Sequence, residues 1–223
     1  MAEQRGTTAD DPFDGRDPTS HEQMTGRSWD ASYLGERPAP WDIGQPQAAF
    51  VRVASVGGFT GDVLDAGCGT GEHALLAASL GHRVLGVDLA ETAIALARKK
   101  AGERGLHAEF AVADAFELDR LGRTFETVLD CGLFHTCDGA ERPRYVASLA
   151  SVTRPAGTVY LLCFSDDAPD IGPHPTSRAD LEAAFNEGSG WRIATLEPDT
   201  IRTTFVESGM PAWCVTITRL SPP

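Results

Sequence analysis

The chain has 223 residues, 42% of them hydrophobic and 23% charged, with a formal net charge of −13, enough for one α/β domain with a full core and somewhat short for two. That acidity leaves no basic field for phosphate backbones or anionic lipid, so nucleic acid and membrane surfaces are excluded as principal partners and a small neutral or cationic molecule is expected. No apolar run approaches the roughly 20 residues that span a bilayer. The polar start MAEQRGTTADD lacks the basic-then-apolar order of a secretion signal. Five cysteines without CxxC spacing suggest buried thiols in a cytoplasmic protein, with neither a disulfide framework nor a metal site.

Residues 1–20 are rich in Asp, Gly, Pro and Thr and read as a disordered tail, because so little apolar content cannot offset the entropy of ordering. Residues 21–223 read as a single domain. Its first stretch, 21–56, carries Trp29, Tyr33, Trp41, Ile43 and Phe50 among Gly and Pro, and a segment with that many aromatics must be tied to something. Beyond it, β-rich runs at 62–65, 83–88, 108–113, 125–131 and 158–164 alternate with helical patterns at 71–80, 91–104 and 141–153. This alternation is the signature of a mostly parallel sheet covered on both faces. Thr176 or Ser177 then caps a short helix, RADLEAAF. Alternating runs at 191–197, 200–206 and 213–220 suit antiparallel pairing at one end of the sheet.

The most informative stretch is VLDAGCGTGEHALLAASLGHRVLGVDL, residues 63–89. An apolar run closes on a carboxylate, Asp65, and enters a glycine loop, Gly67-Cys68-Gly69-Thr70-Gly71. A helix and a second apolar run ending in Asp88 and Leu89 follow, which makes one βαβ unit of a nucleotide-binding sheet. A dinucleotide fingerprint reads GxGxxG, whereas here the spacing is GxGxG and Glu72 takes the place of the third glycine. A carboxylate beside the loop repels a pyrophosphate but suits a ligand with an ammonium and a sulfonium, as in S-adenosylmethionine. Asp88 ends its strand where an acid accepts hydrogen bonds from both ribose hydroxyls.

With strand, loop, helix, strand and acid in this order, residues from about 60 to 165 resemble the class I S-adenosylmethionine-dependent methyltransferases, whose first motif reads DxGCGTG. The resemblance implies a Rossmann-like, doubly wound α/β fold: a mostly parallel seven-stranded sheet with an antiparallel C-terminal edge hairpin and an N-terminal helical lid. It implies that Gly67 and Gly69, with Cys68 between them, meet the methionine part of the cofactor, and that Asp88 and Leu89 meet the ribose. Asp114 in VADAF is implied to lie near the adenine amine and Ala115 beside its ring; a turn or helix cap is the alternative for Asp114. In TVLDCGLFHTCD the resemblance puts Asp130 and Cys131 at the methionine moiety, Cys131 through its backbone, and leads from Leu133 to His135 into the acceptor site.

The words WDASYLGERPAPWDIGQPQAAF resemble an N-terminal extension of thiopurine, thiol and tellurite methyltransferases and of actinobacterial enzymes that methylate heterocyclic toxins. By that analogy Tyr33 and Trp41 contact the cofactor, whose sulfonium an electron-rich ring attracts, while Trp29 packs the extension onto the sheet. Methyl transfer from a sulfonium needs orientation and a dry site more than a dedicated base. Should an acceptor proton have to be removed, His135 is the candidate base by motif position; lining the strand end is its alternative. His73 reads as structural, and His174 belongs to a 166–176 loop expected to border the acceptor pocket. The expected activity is methyl transfer to O, S or N of a small aromatic or heterocyclic molecule. A non-transferring sensor or cyclising enzyme on the same fold is the alternative, and an NAD-linked oxidoreductase is opposed by the loop spacing.

Overall fold

The computed structural model describes residues 12–13, 15–169, 174–206 and 208–221. Seven strands form one sheet: β1 Val63–Ala66, β2 Val84–Asp88, β3 Glu109–Val112, β4 Phe125–Cys131, β5 Thr153–Phe164, β6 Trp191–Ile201 and β7 Met210–Arg219. Their order is β3-β2-β1-β4-β5-β7-β6. β1 to β5 pair in parallel, and β7 runs antiparallel between β5 and β6. Among the described residues the α-helices are α1 Ser20–Thr25, α2 Ala48–Ser55, α3 Glu72–Ser79, α4 Glu91–Arg104, α5 Glu141–Val152 and α6 Arg178–Ala184.

Successive side chains of the parallel strands point to opposite faces, and each face has its own apolar layer. On one, Leu64, Leu85 and Val128 pack with Tyr145 and Leu149 of α5, Leu181 of α6 and Trp191. On the other, Val63, Val84 and Leu129 pack with Phe50 of α2, Leu75 of α3 and Ile94 of α4. α4 stops where Gly105 takes φ 63°, a left-handed cap open to glycine at no steric cost.

Three expectations need correction. The runs 191–197 and 200–206 are one strand, β6, that ends at Ile201; Pro198 sits inside it without cost because β6 is the sheet edge, where a missing N–H breaks no inner ladder bond. β5 begins at Thr153 and bulges over 154–157, with Ala156 at φ 63°, so Phe125 pairs with Thr153 and Thr127 with Thr158. Ala115–Leu121 forms 3₁₀ turns, where no element was expected.

Most of the expected tail, residues 1–11 and 14, lies outside the described residues. Its end is structured: Thr19 and Glu22 make a reciprocal capping box on α1, and Arg16 pairs with the fully buried Glu22. The T-x-x-E spacing is a readable helix-start signal. Among the described residues no helix is long and apolar enough to cross a membrane.

Candidate active site

The strand order reverses at β1, so the crevice beyond the carboxyl ends of β1, β2 and β4 is where an open α/β sheet holds its ligand. A cavity of about 410 Å³ occupies it. Gly67, Cys68 and Gly69 form its floor after β1, Asp88 and Leu89 line it from β2, Asp114 and Ala115 from the end of β3, and Cys131, Gly132 and His135 from the end of β4. Tyr33 and Trp41 of the N-terminal segment line it as well.

The acids divide into two groups. Asp88 faces the cavity while its Oδ2 accepts the Gly69 N–H at 2.8 Å and its Oδ1 that of Ala90 at 2.9 Å. Asp65 and Asp130 stand behind the wall instead of lining it. Asp65 Oδ2 accepts the Ala74 N–H at 2.9 Å, and its Oδ1 is buried without a partner among the described residues. Asp130 is spent on structure: it accepts the Leu133 and Phe134 N–H groups and the Tyr145 hydroxyl at 3.0 Å, which shapes the turn after β4. Burial pushes Asp65 up to about 7 and Asp130 up to about 6, and the Asp88 and Asp130 carboxylates add to the rise at Asp65. Asp114 combines its two readings, since it lines the cavity while its Oδ1 accepts the Phe116 N–H at 2.8 Å. Burial pushes the Cys68 and Cys131 thiols well above their ordinary range, so neither offers a thiolate.

The N-terminal segment is fastened at several points. Asp30 accepts the Thr92 N–H at 2.7 Å and the Thr92 hydroxyl at 2.9 Å, which caps α4 from outside its own sequence. Asp42 accepts the Thr70 hydroxyl of the glycine loop at 2.8 Å, and Lys100 joins Thr70 to Glu72. Gln47 takes the Arg202 N–H and gives its own side-chain N–H to the Arg202 carbonyl. Over the cavity, Trp41 Nε1 donates to the Tyr33 hydroxyl at 2.9 Å. Trp29 stacks on His21 with centroids 4.4 Å apart and also meets the edge of Trp41, so it both packs the segment and lines the cavity.

Beyond β4, His135 is buried and stacked on Phe164 at 4.3 Å. Its Nδ1 accepts the Phe164 backbone N–H at 3.0 Å. A neutral imidazole with Nδ1 accepting carries its proton on Nε2. This opposes the expected base, because no imidazole lone pair is left for an acceptor proton. His73 lines the cavity too, while its Nε2 accepts the Gln47 N–H at 3.1 Å and so ties it to the N-terminal segment; burial holds it down at about 4.

Sequence reasoning missed His21 and Met24 on α1, Thr136 after β4, and Thr203 and Phe205 between β6 and β7, all of which line the cavity. The 166–176 loop was expected there, but none of its described residues lines the cavity, and 170–173 lie outside the described residues. Thr203 and Phe205 are far from the motifs in sequence. They arrive because the Thr204 N–H binds the Pro40 carbonyl at 2.8 Å, a long-range contact with no local signal.

A model described as a methyltransferase domain matches residues 63–157. The 2-heptyl-1-hydroxyquinolin-4(1H)-one methyltransferase of Mycobacteroides abscessus is 38% identical over 180 residues, which cover 76% of this chain and 78% of that one. A solved structure described under the conversion of a disulfide bond into a thioacetal group during echinomycin biosynthesis is 38% identical, with a TM-score of 0.74 and coverage of 90% of this chain and 91% of that one. The magnesium protoporphyrin IX methyltransferase of Synechocystis PCC 6803, solved with bound S-adenosylhomocysteine, shares the fold at 22% identity and a TM-score of 0.62, covering 77% and 80% of the two chains. The loop, the acid at the end of β2 and these relatives agree: the chain belongs to the S-adenosylmethionine-dependent methyltransferases.

Proposed function

We propose that this methyltransferase transfers its methyl group to an oxygen of a small hydroxylated heteroaromatic molecule, in the cytoplasm. The observation that carries this reading is continuity. One cavity runs from the glycine loop and Asp88 to His135 and Thr136, under aromatic rings of the N-terminal segment. The relative that acts on a hydroxyquinolone supports a hydroxylated heteroaromatic acceptor. The net charge of −13 speaks against a nucleic-acid acceptor.

The walls fit S-adenosylmethionine. Gly69 sits at φ 51°, and a Cβ there would come 3.1 Å from the Tyr33 hydroxyl, so glycine keeps the loop backbone open to a ligand. The Oδ1 of Asp65 is buried and unpartnered among the described residues, and burial raises both Asp65 and Asp88, so a cation brought beside them would favour their ionised forms. Asp88 would take the ribose hydroxyls, Gly67, Cys68 and Gly69 the methionine part, and Asp114 and Ala115 the adenine. Tyr33 and Trp41 close over the site as a lid and hold water away from it. When bound, the cofactor supplies a methyl carbon on a positively charged sulfur, an electrophile that the protein need not activate. The task left to the chain is to align the acceptor oxygen and keep the cleft dry.

The test is a screen of hydroxyquinolones, phenols and thiols with S-adenosylmethionine, read by mass spectrometry for a methyl gain. Methylation of N-hydroxy or phenolic heteroaromatics in preference to thiols is expected; a preference for thiols would reject the oxygen acceptor.

A further inference from the structure

Three features at the acceptor end point the same way. First, the Phe164 N–H on Nδ1 fixes His135 as an Nε2–H donor. The edge carrying Cε1 and Nε2 lies against Gly132, itself part of the cavity wall at φ 88°, where a Cβ would come 3.3 Å from Cε1 and 3.8 Å from Nε2. Second, among the described residues that line this end no carboxylate is free to support an imidazolium. Glu141 lines the cavity, but it already takes the Ser20 N–H and hydroxyl and the Asp138 N–H. Asp130 is filled by Tyr145 and two backbone N–H groups. Third, the groups that do influence His135 electrostatically are His21 from α1, Arg142 from α5 and His174, all of one sign or none. His21 lines the same end, and its Nδ1 is buried without a partner among the described residues. Glu22, beside His21, is matched by Arg16, and Asp180 lies 3.4 Å from Arg142.

From this geometry we infer that the acceptor enters as its oxyanion, in place of the neutral or cationic molecule that the net charge of −13 suggested, with His135 as hydrogen-bond donor to that oxygen and no residue serving as general base. The inference rests on the heteroaromatic-oxygen reading above and deepens it. The acceptor loses its proton to solvent before or as it binds. The oxyanion then forms the new O–C bond while the C–S bond breaks and keeps its electron pair on sulfur, so a negative and a positive charge cancel and two neutral products leave. A site of this kind selects acceptors that ionise near neutral pH, such as N-hydroxy heteroaromatics, over simple alcohols. Burial, with His21, Arg142 and His174 adding to it, also holds His135 down at about 3, so the imidazole does not itself titrate at physiological pH.

The test uses the full chain and a set of ring-substituted 1-hydroxyquinolin-4(1H)-ones of graded acidity. The pH at half-maximal kcat/KM is expected to move with the acidity of each acceptor. His135→Gln, which keeps an N–H donor, should retain kcat/KM within about tenfold, while His135→Ala loses on the order of 100-fold, the scale of one oriented donor. S-adenosylmethionine affinity by calorimetry should stay put in both variants and reports that they fold. In the complex with S-adenosylhomocysteine, absorbance titration should show the bound quinolone ionising at lower pH than in water, and His135→Ala should remove that shift. A half-maximal pH that is the same for every acceptor, with His135→Gln as inactive as His135→Ala, would overturn the inference while leaving the transferase reading intact. Cofactor binding with no methylation anywhere in the set would instead overturn the heteroaromatic-oxygen reading, and the inference with it.

Discussion

Asp88 joins two loops, since its carboxylate holds the Gly69 and Ala90 N–H groups while facing the cavity. Asp88→Ala removes a ligand acceptor and leaves two part-buried donors unmatched, a cost of about 1–3 kcal/mol for each such group. Cofactor binding should fall below calorimetric detection, and retained micromolar affinity would contradict the ribose role. Asp65 offers a finer test. Its pKa of about 7 in the free protein means that it carries a proton below that pH. A bound cation favours the ionised carboxylate, so binding releases the proton, and cofactor affinity should fall as pH drops below about 7, by up to about tenfold per unit. Calorimetry across pH reads this directly, and Asp65→Asn should flatten the profile; equal slopes in both proteins would sever Asp65 from the cofactor.

At the scale of elements, the N-terminal segment stays in place through side chains that complete other elements. Asp30 caps α4, and Asp42 ties the segment to Thr70. Asp30→Ala should cost about 1 kcal/mol, as lost caps do, seen as a lower Tm and faster hydrogen exchange over 26–47; unchanged exchange there would remove the latch. The βαβ unit at 63–88 was legible because strand, loop, helix and acid are consecutive, and α4 was legible to the residue because Gly105 ends it. The 3₁₀ turns over Ala115–Leu121 were not, since Asp114 caps a stretch that has no sustained periodicity. Nor was the tautomer of His135, which depends on a backbone N–H 29 positions away in sequence.

Across the whole molecule, the reversal of strand order at β1 gathers the ends of β1, β2, β3 and β4 around one cleft, and segments far apart in the sequence add to its lining, Tyr33 and Trp41 on one side of the motifs and Phe205 on the other. A ligand that binds only this folded arrangement stabilises it by mass action, about 2.7 kcal/mol at a hundred times Kd. S-adenosylmethionine should therefore raise Tm in a concentration-dependent way, whereas NADH should not. The most direct test of the account follows a labelled methyl group from S-adenosylmethionine to 2-heptyl-1-hydroxyquinolin-4(1H)-one and related N-hydroxy heteroaromatics, with Asp88→Ala as the control. Labelled O-methyl product from the wild type and none from the variant is the predicted result. Cofactor bound to the wild type with no label in any acceptor would contradict it.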